Sequence, residues 1–193
     1  KLKIGAVLSL TGPASTWGLG WQNGIELAVE ELKAEGGVTV SGKTYQIEII
    51  YYDDFYDPTE ATAAMYKLIS EDNVKYVIGP ISADAMLAIA SLAEESKVLV
   101  LGGGSTPTVL GPDKPHTFAV LPSAREMQPM AHIWILQNYP NIKTWYGIVP
   151  DNATGNSDKE VMTPIIEALG WQILGWEFYD PGATDFTSLL TTI

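Results

Sequence analysis

The sequence has 193 residues, of which 46% are hydrophobic and 18% charged, with a formal net charge of −12. This composition is typical of a globular protein, and the excess of acidic residues argues against binding to nucleic-acid phosphates or to an anionic membrane surface. Cysteine is absent, which excludes disulfides and thiol chemistry, and no apolar run reaches the length of a membrane span.

Strand and helix patterns alternate through the first part of the chain. The apolar run 3–10 predicts a buried strand. A loop carrying Trp17 follows, and residues 21–32 then place their apolar side chains on one helical face. Alternating residues over 45–51 predict a second strand, so the chain opens with a β-α-β unit.

The next elements carry clear start signals. Asp57-Pro58 has the acidic cap and the proline that are typical of a helix N-terminus. Residues 76–78 predict a short buried strand, and Ser82 can cap the helix that follows it. Residues 97–101 predict a fourth strand. This β-α-β-α-β-α-β series predicts a parallel sheet wrapped by helices.

A second α/β series begins near Pro122. We therefore expect an α/β fold with a first lobe, 1–121, and a partial second lobe, 122–193. The predicted segments are a strand over 117–121, a helix that starts at Ser123 or at Pro129, a strand over 143–149, a polar loop over 151–155, a helix that ends at Gly170, a strand over 171–178, and a short helix after Thr184.

The sequence contains no catalytic constellation. His116 and His132 have no motif neighbours, so surface or packing roles are predicted for both. Asp53-Asp54 follows a predicted strand and is a candidate for acid–base chemistry, but a solvated loop or cap is the favoured interpretation. Neither a cofactor nor a metal is predicted.

Small and hydroxyl-bearing residues fill the loops after the predicted strands, at 9–17, 79–83, 102–106 and 151–155. In open parallel sheets, small ligands bind beyond the carboxyl ends of the strands. Small residues let a ligand approach the backbone, where N–H groups bind a carboxylate without a formal positive charge. These loops favour capture of a small zwitterion or acid over its chemical conversion.

Five motifs follow one another along the whole chain: Ile4–Pro13, 24–28 with Gly36-Gly37, Tyr52–Asp54 with Asp57-Pro58, Val77–Pro80 with Ser82, and Gly182–Phe186. This series resembles the branched-chain amino-acid-type solute-binding proteins of ABC importers, the Leu/Ile/Val-binding group of the type I periplasmic binding proteins. The resemblance implies that two lobes close on an amino acid or a related small carboxylate.

The same resemblance implies delivery of the ligand to an ABC transporter permease, with no enzymatic activity and no cofactor. It implies a periplasmic or extracellular location, with lipid anchoring left open. A strand that begins just after Lys1 is expected of a mature or trimmed product. Relatives are longer and cross back into the first lobe, so this chain is expected to end inside the second.

The resemblance also implies which residues contact the ligand. In the first lobe, Ser82 and Ala83 together with Gly104, Ser105 and Thr106 would hold the carboxylate and the ammonium group. Relatives often have a second hydroxyl residue in place of Ala83, so one side-chain donor is lost here.

Two further positions concern the rest of the ligand. Trp17 matches an aromatic that packs over the ligand in relatives. Thr154 stands where an aromatic of the second lobe often closes the site, which argues against a Leu-like ligand. Asp84 is expected to complement the dipole of the helix that follows Ser82.

Two other functions stay open at this point. The chain can be a ligand-sensing domain of a receptor or regulator on the same fold, which a DNA-binding segment or membrane span in the parent protein would favour. An α/β enzyme that uses Asp53-Asp54 is the third hypothesis, and the absence of a nucleophile or cofactor loop counts against it.

Overall fold

The structure is a computed structural model that describes residues 1–193, and the chain forms two compact units. Unit 1 consists of Lys1–Gly104 and Thr108–Val120. Unit 2 consists of Ser105–Pro107 and Leu121–Ile193. Unit 2 therefore includes three residues from the loop after the fourth strand of the sheet, a segment that the sequence placed in the first lobe.

Unit 1 alternates strands and helices. Its elements are β1 (Leu2–Leu8), α1 (Ser15–Ala34), β2 (Val38–Val40), β3 (Lys43–Tyr45), β4 (Ile47–Asp53), α2 (Pro58–Ser70), β5 (Tyr76–Ile78), α3 (Ala83–Ser96), β6 (Leu99–Gly102) and β7 (Thr117–Ala119), with a short 3-10 turn at Pro107–Val109.

Five strands of unit 1 form one sheet in the order β4-β1-β5-β6-β7. All neighbouring pairs are parallel, with Gly5 opposite Val77 and Val100 opposite Thr117. The predicted parallel sheet is confirmed. Because its strands are parallel, their carboxyl ends meet at one edge, where loops from distant parts of the sequence come together.

The core of unit 1 lies between one face of this sheet and the helices α2 and α3. Both helices turn small and aliphatic residues toward the strands, as their apolar spacing predicts. The fully or almost fully buried residues are Val7, Ala61, Ala64, Met65, Leu68, Val74, Val77, Ala85, Ile89, Ala93, Val98 and Val100. Helix α1 packs on the opposite face, where an apolar groove of 370 Å³ remains between the helix and the sheet.

Unit 2 contains two parallel strands and three helices. Its elements are α4 (Ala124–Asn138), β8 (Thr144–Pro150), α5 (Ala153–Ala168), β9 (Gln172–Tyr179) and α6 (Thr187–Leu190). Strand β8 pairs with β9 along its whole length, with a register irregularity between Trp145 and Tyr146. Met162, Ile166 and Trp171 form the buried centre of the unit.

Two predictions in the first part of the chain are wrong. Helix α1 begins at Ser15, so Trp17 lies in its first turn rather than in a loop. Strands β2 and β3 form an antiparallel hairpin that the sequence analysis missed. Ser41 and Gly42 make its turn, and both have positive φ, as the favoured two-residue hairpin turns require.

In unit 2, the start of one helix agrees with the first of its two predicted positions, and the start of another differs from expectation. Helix α4 begins after Ser123, whose capping box with Glu126 is present, and Pro129 lies inside the helix. Helix α5 begins at Ala153, so the polar loop predicted over 151–155 is mostly a helical turn. None of the helices is long and apolar enough to cross a membrane.

Candidate ligand-binding site

The loops beyond β5 and β6 are joined at the carboxyl edge of the unit 1 sheet. The backbone N–H of Gly79 donates to the carbonyl oxygen of Leu101 at 2.9 Å. The N–H of Gly103 donates to the carbonyl oxygen of Pro80, also at 2.9 Å. These bonds extend the pairing of the two strands past their ends, and they fix the loop that leads into α3.

Helix α3 begins at this edge with a capped N-terminus. Ser82 Oγ accepts a hydrogen bond from the N–H of Ala85 at 3.0 Å, which confirms the predicted N-cap. The cap uses a lone pair of the hydroxyl oxygen, so the hydroxyl proton can still be donated. The first N–H groups of a helix have no acceptor within the helix, and its dipole favours a negative charge there. The arrangement suits a carboxylate.

At two glycines near the start of α3, the backbone lies so close to neighbouring atoms that a side chain would not fit. Gly79 has φ +91°, and a Cβ there would lie 1.9 Å from the carbonyl oxygen of Val7. A Cβ at Gly104 would lie 3.1 Å from the Cα of Ala83, so these two predicted site residues are in contact. The N–H of Gly104 points at Met86 Sδ, 2.9 Å away. Close packing thus requires a small residue at Gly104, whether or not a ligand binds.

Asp54 is fully buried beside the ends of β1 and β4. Its Oδ1 accepts hydrogen bonds from Ser9 Oγ at 2.6 Å and from the N–H of Tyr56 at 2.9 Å. Oδ2 is buried without a partner. Burial raises the pKa of the Asp54 carboxyl, although the hydrogen bond from Ser9 opposes that shift. The interpretation of this residue as part of a solvated loop is wrong.

Asp53 holds the loop between β1 and α1. Its carboxylate accepts hydrogen bonds from the N–H of Leu10 at 2.9 Å, from Thr11 Oγ1 at 2.6 Å and from the N–H of Phe55 at 3.0 Å. Desolvation opposes ionisation, but these hydrogen bonds together bring the pKa of Asp53 below its ordinary value. The aspartate pair is thus occupied by structural hydrogen bonds. The sequence does not indicate those from Ser9, Leu10 and Thr11, because these partners lie more than 40 residues away.

Trp17 lies at the same edge, in the first turn of α1, with 66% of its surface exposed. The helix passes close over the end of β1, since a Cβ at Gly18 would lie 1.9 Å from the carbonyl oxygen of Ser9. An exposed tryptophan is available for contact with a ligand or partner. Its predicted position over a ligand stays a prediction.

The remaining predicted site residues belong to unit 2. The carbonyl oxygen of Ser105 accepts a hydrogen bond from the N–H of Ala124 at 3.0 Å. Thr106 is 4% exposed, and its Oγ1 is buried without a partner. Thr154 is half-buried in the first turn of α5. The structure brings Ser82, Ala83 and Gly104 together in unit 1, and the ligand contacts of these three and of the unit 2 residues stay predictions.

A family model described as periplasmic binding protein matches residues 1–193. This chain belongs to the periplasmic binding protein family. Among its relatives, a Leu/Ile/Val-binding protein of Rhizobium johnstonii is 27% identical over 198 residues, which cover 100% of this chain and 51% of the relative. A leucine-, isoleucine-, valine-, threonine- and alanine-binding protein of Pseudomonas aeruginosa is 24% identical, and the match covers 50% of it. This periplasmic binding protein spans about half the length of the curated relatives it matches.

Solved structures of solute-binding proteins are similar to this chain over almost its whole length. A solute-binding protein of an ABC transporter from Rhodopseudomonas palustris BisB5, in complex with 3,4-dihydroxybenzoic acid, matches with a TM-score of 0.86 and 26% identity, over 99% of this chain and 50% of that one. A leucine-binding protein from Thermotoga maritima matches with a TM-score of 0.85 and 25% identity, over 100% and 53%.

These comparisons confirm the resemblance to branched-chain amino-acid-type binding proteins and the type I periplasmic-binding-protein fold. The family and the named relatives are solute-binding proteins rather than enzymes, and they place this periplasmic binding protein in an extracytoplasmic group.

Proposed function

We propose that this chain is the ligand-capturing part of a solute-binding protein that delivers an amino acid or a related small carboxylate to an ABC permease. The observation that carries the proposal is the capped N-terminus of α3 at the carboxyl edge of the sheet, with Ser82, Ala83 and Gly104 in one place. The named relatives support it, because they are binding proteins of ABC transport systems or of aliphatic amino acids.

The proposed ligand carries a carboxylate. The relatives named above bind leucine, isoleucine, valine, threonine, alanine or a dihydroxybenzoic acid, and a carboxylate is the one group that all of these ligands share. Backbone N–H groups at the start of α3 and the hydroxyl proton of Ser82 provide donors for it. In unit 2, Ser105 and Thr106 are proposed to contact the polar end of the same ligand.

The rest of the ligand is proposed to be apolar or aromatic. Trp17 offers a large exposed ring, and burying such a surface against an apolar group is favourable. Thr154 provides a small hydroxyl side chain in unit 2, where relatives of the Leu/Ile/Val-binding group often have an aromatic. The ligand is therefore proposed to differ from leucine in size or polarity.

A thermal-shift panel of amino acids, aromatic acids and small amides tests the proposal. A ligand present at a hundred times its dissociation constant stabilises the folded state by about 2.7 kcal/mol, which corresponds to a Tm increase of roughly 5–11 °C for a chain of this size. A shift confined to carboxylates supports the proposed class. A shift with the amides but not with the acids contradicts it.

Matched variants separate ligand contact from helix stability. Ser82→Ala removes the N-cap of α3 together with a ligand donor. Asp57→Ala removes the N-cap of α2, where Asp57 Oδ1 accepts from the N–H groups of Thr59 and Glu60 at 2.7 and 3.1 Å. Both variants lose stability, but only Ser82→Ala should weaken binding. Equal affinity in the two variants would contradict a ligand contact at Ser82.

Trp17→Ala tests the contact with the apolar part of the ligand. Loss of an aromatic stacking surface should weaken binding at least about tenfold, whereas stability should change little because the ring is mostly exposed. Titration of the shift-producing ligand by calorimetry measures the effect. Unchanged affinity contradicts this assignment and leaves the carboxylate contact intact.

A further inference from the structure

Trp21 lies in the second turn of α1 and is half-buried. Its ring reaches the loop after β6, because a Cβ at Gly103 would lie 2.9 Å from Trp21 Cζ2 and 3.2 Å from Trp21 Cη2. Gly103 has no positive φ, so the neighbouring atoms, rather than the backbone conformation, exclude a side chain there. The outer ring of Trp21 therefore packs directly on the backbone of this loop.

The same stretch of backbone is held from the side of β5. The N–H of Gly103 is hydrogen-bonded to the loop after β5, and a Cβ at Gly103 would lie 3.3 Å from the Cα of Ile81. The next residue, Gly104, packs against Ala83 at the start of α3. A series of contacts thus runs from Trp21 through Gly103 to the helix start that is proposed to bind the carboxylate.

Helix α1 is otherwise loosely packed on the sheet. Its only buried residue is Gly18, and Ile25 is half-buried over the apolar groove of 370 Å³. Trp21 lines the same groove, so its ring is enclosed by the Gly103 loop on one side and is open on the other. The contact between Trp21 and Gly103 therefore joins a loosely packed helix to the candidate ligand-binding loops.

We propose that Trp21 is a positioning residue for the carboxylate site, whose ring holds the backbone of Gly103 and Gly104 against the start of α3. The inference rests on the proposed function, since it concerns the same site. Trp17 lies one turn before Trp21 on the same side of α1. The contact that holds the loop thus also holds the exposed indole of Trp17 at a fixed distance from the carboxylate site.

Calorimetric titration of the full chain with L-leucine, L-alanine and 3,4-dihydroxybenzoic acid measures the effect on binding. For each of these acids that binds to the wild-type protein, Trp21→Ala should weaken binding about ten- to a hundredfold, because a site whose supporting contacts are lost shifts by up to about 1 Å. Trp21→Phe lacks the outermost ring atoms that contact Gly103, so it should give a smaller loss of affinity.

Ile25→Ala is the matched control. It also removes a half-buried α1 side chain from the groove, but one turn further from the loop. Both Trp21→Ala and Ile25→Ala should lower the Tm, whereas only Trp21→Ala should lower the affinity. Equal losses of affinity in the two variants would contradict a positioning role of Trp21, because they would follow from loosening of α1 alone.

A double-mutant cycle tests the contact itself. Gly103→Ala places a methyl group against the indole, so it should weaken binding in the wild-type background. In Trp21→Ala the space left by the ring accepts this methyl group, and adding Gly103→Ala should then cost much less affinity. Additive losses would overturn the proposal, since they would show that the ring and the loop act independently.

Hydrogen exchange of the Gly103 amide tests the positioning without any ligand. Its hydrogen bond to the loop after β5 should open at least about tenfold more often in Trp21→Ala, whereas Ile25→Ala should resemble the wild-type protein. Unchanged exchange in Trp21→Ala would overturn the proposal. If no acid of the thermal-shift panel binds to the wild-type protein, the proposed function fails, and the exchange of Gly103 still decides whether Trp21 holds the loop.

Discussion

Two turns of the molecule have the same design but are stabilised differently. The turn from β5 to α3 in unit 1 and the turn from β8 to α5 in unit 2 each join a parallel strand to a helix with a side-chain cap. Ser82 Oγ accepts from the N–H of Ala85 at 3.0 Å, and Asn152 Oδ1 accepts from the N–H of Gly155 at 3.1 Å. Each turn also carries predicted site residues.

The surroundings of the two caps differ. Ser82 is 6% exposed, and Ala83, Ala85 and Met86 behind it are buried, so core packing holds the first turn of α3. In the first turn of α5, only Gly155 is buried. Packing constrains the side chains of the unit 1 turn, whereas Thr154 in unit 2 is half-buried and is less constrained by a core. We infer that the unit 1 turn serves the carboxylate that all ligands share, and that selectivity for the rest of the ligand depends more on the unit 2 turn.

Among substitutions in the two turns, Gly79→Ala in the unit 1 turn should cause the largest loss of stability. A Cβ at this position would lie 1.9 Å from the backbone oxygen of Val7, and the residue has φ +91°. Overpacking and a left-handed backbone together should destabilise unit 1 by about 2–5 kcal/mol. Urea unfolding measures the change in the free energy of unfolding. A loss below about 1 kcal/mol would show that the loop can move away from β1.

The corresponding change in unit 2, Gly155→Ala, should cost less. Its Cβ would lie 1.8 Å from the backbone oxygen of Pro150, but the residue is helical and has no positive φ. Overpacking alone predicts a loss of about 1–3 kcal/mol, localised to unit 2. Hydrogen exchange of β8 and α5 reports it. A faster exchange that appears mainly in unit 1 would contradict this localisation.

The sequence predicted the elements that local signals specify. The caps at Asp57, Ser82 and Ser123 and the parallel β-α alternation are all present, because each depends on residues within a few positions of one another. The β2–β3 hairpin has a local signal as well, the Ser41-Gly42 turn, but each of its strands is only three residues long, too short for a clear alternation.

Other features depend on contacts that are distant in the sequence. The predicted start of α1 falls too late because a glycine such as Gly18 is typical of loops, whereas here its lack of a side chain lets the helix pass over Ser9. Asp54 was interpreted as solvated because nothing near it in the sequence indicates that Ser9, 45 positions away, donates to it inside the protein. Burial of a carboxylate is decided by tertiary contacts, so the sequence predicts the loops at the carboxyl edge of the sheet but not the buried polar groups that hold them.

A smaller contrast concerns the caps themselves. Ser82→Ala should destabilise unit 1 by about 1–2 kcal/mol, and Asn152→Ala should destabilise unit 2 by about 0.5–1 kcal/mol. The first value is larger because Ser82 is 6% exposed, whereas Asn152 is half-buried and water can reach the site of its side chain. Thermal unfolding of both variants measures the difference. Equal losses would show that burial does not distinguish the turns.

The smallest expected effect concerns acid. The loops at the carboxyl edge of unit 1 depend on the Asp53 carboxylate, whereas the unit 2 turn depends on the neutral amide of Asn152. Because hydrogen bonds outweigh desolvation and lower the pKa of Asp53, its contribution to stability is present above the pKa of an unfolded aspartate, about 3.9, and is lost as the pH falls through the lower folded value. Asp54 acts in the opposite direction, since burial raises its pKa and its charged form is disfavoured.

The variant Asp53→Asn isolates the contribution of the Asp53 carboxylate to stability. The amide keeps an acceptor for the N–H groups of Leu10 and Phe55 but does not titrate, so the variant should lose on the order of 0.5 kcal/mol at neutral pH. Below about pH 4, exchange of the segment 9–11 should rise with acid in the wild-type protein and remain flatter in the variant. An identical acid response in both proteins would mean that Asp53 is not the group that couples this edge to pH. The loop that leads into α1 would then owe its position to packing of the helix over Ser9 rather than to the carboxylate.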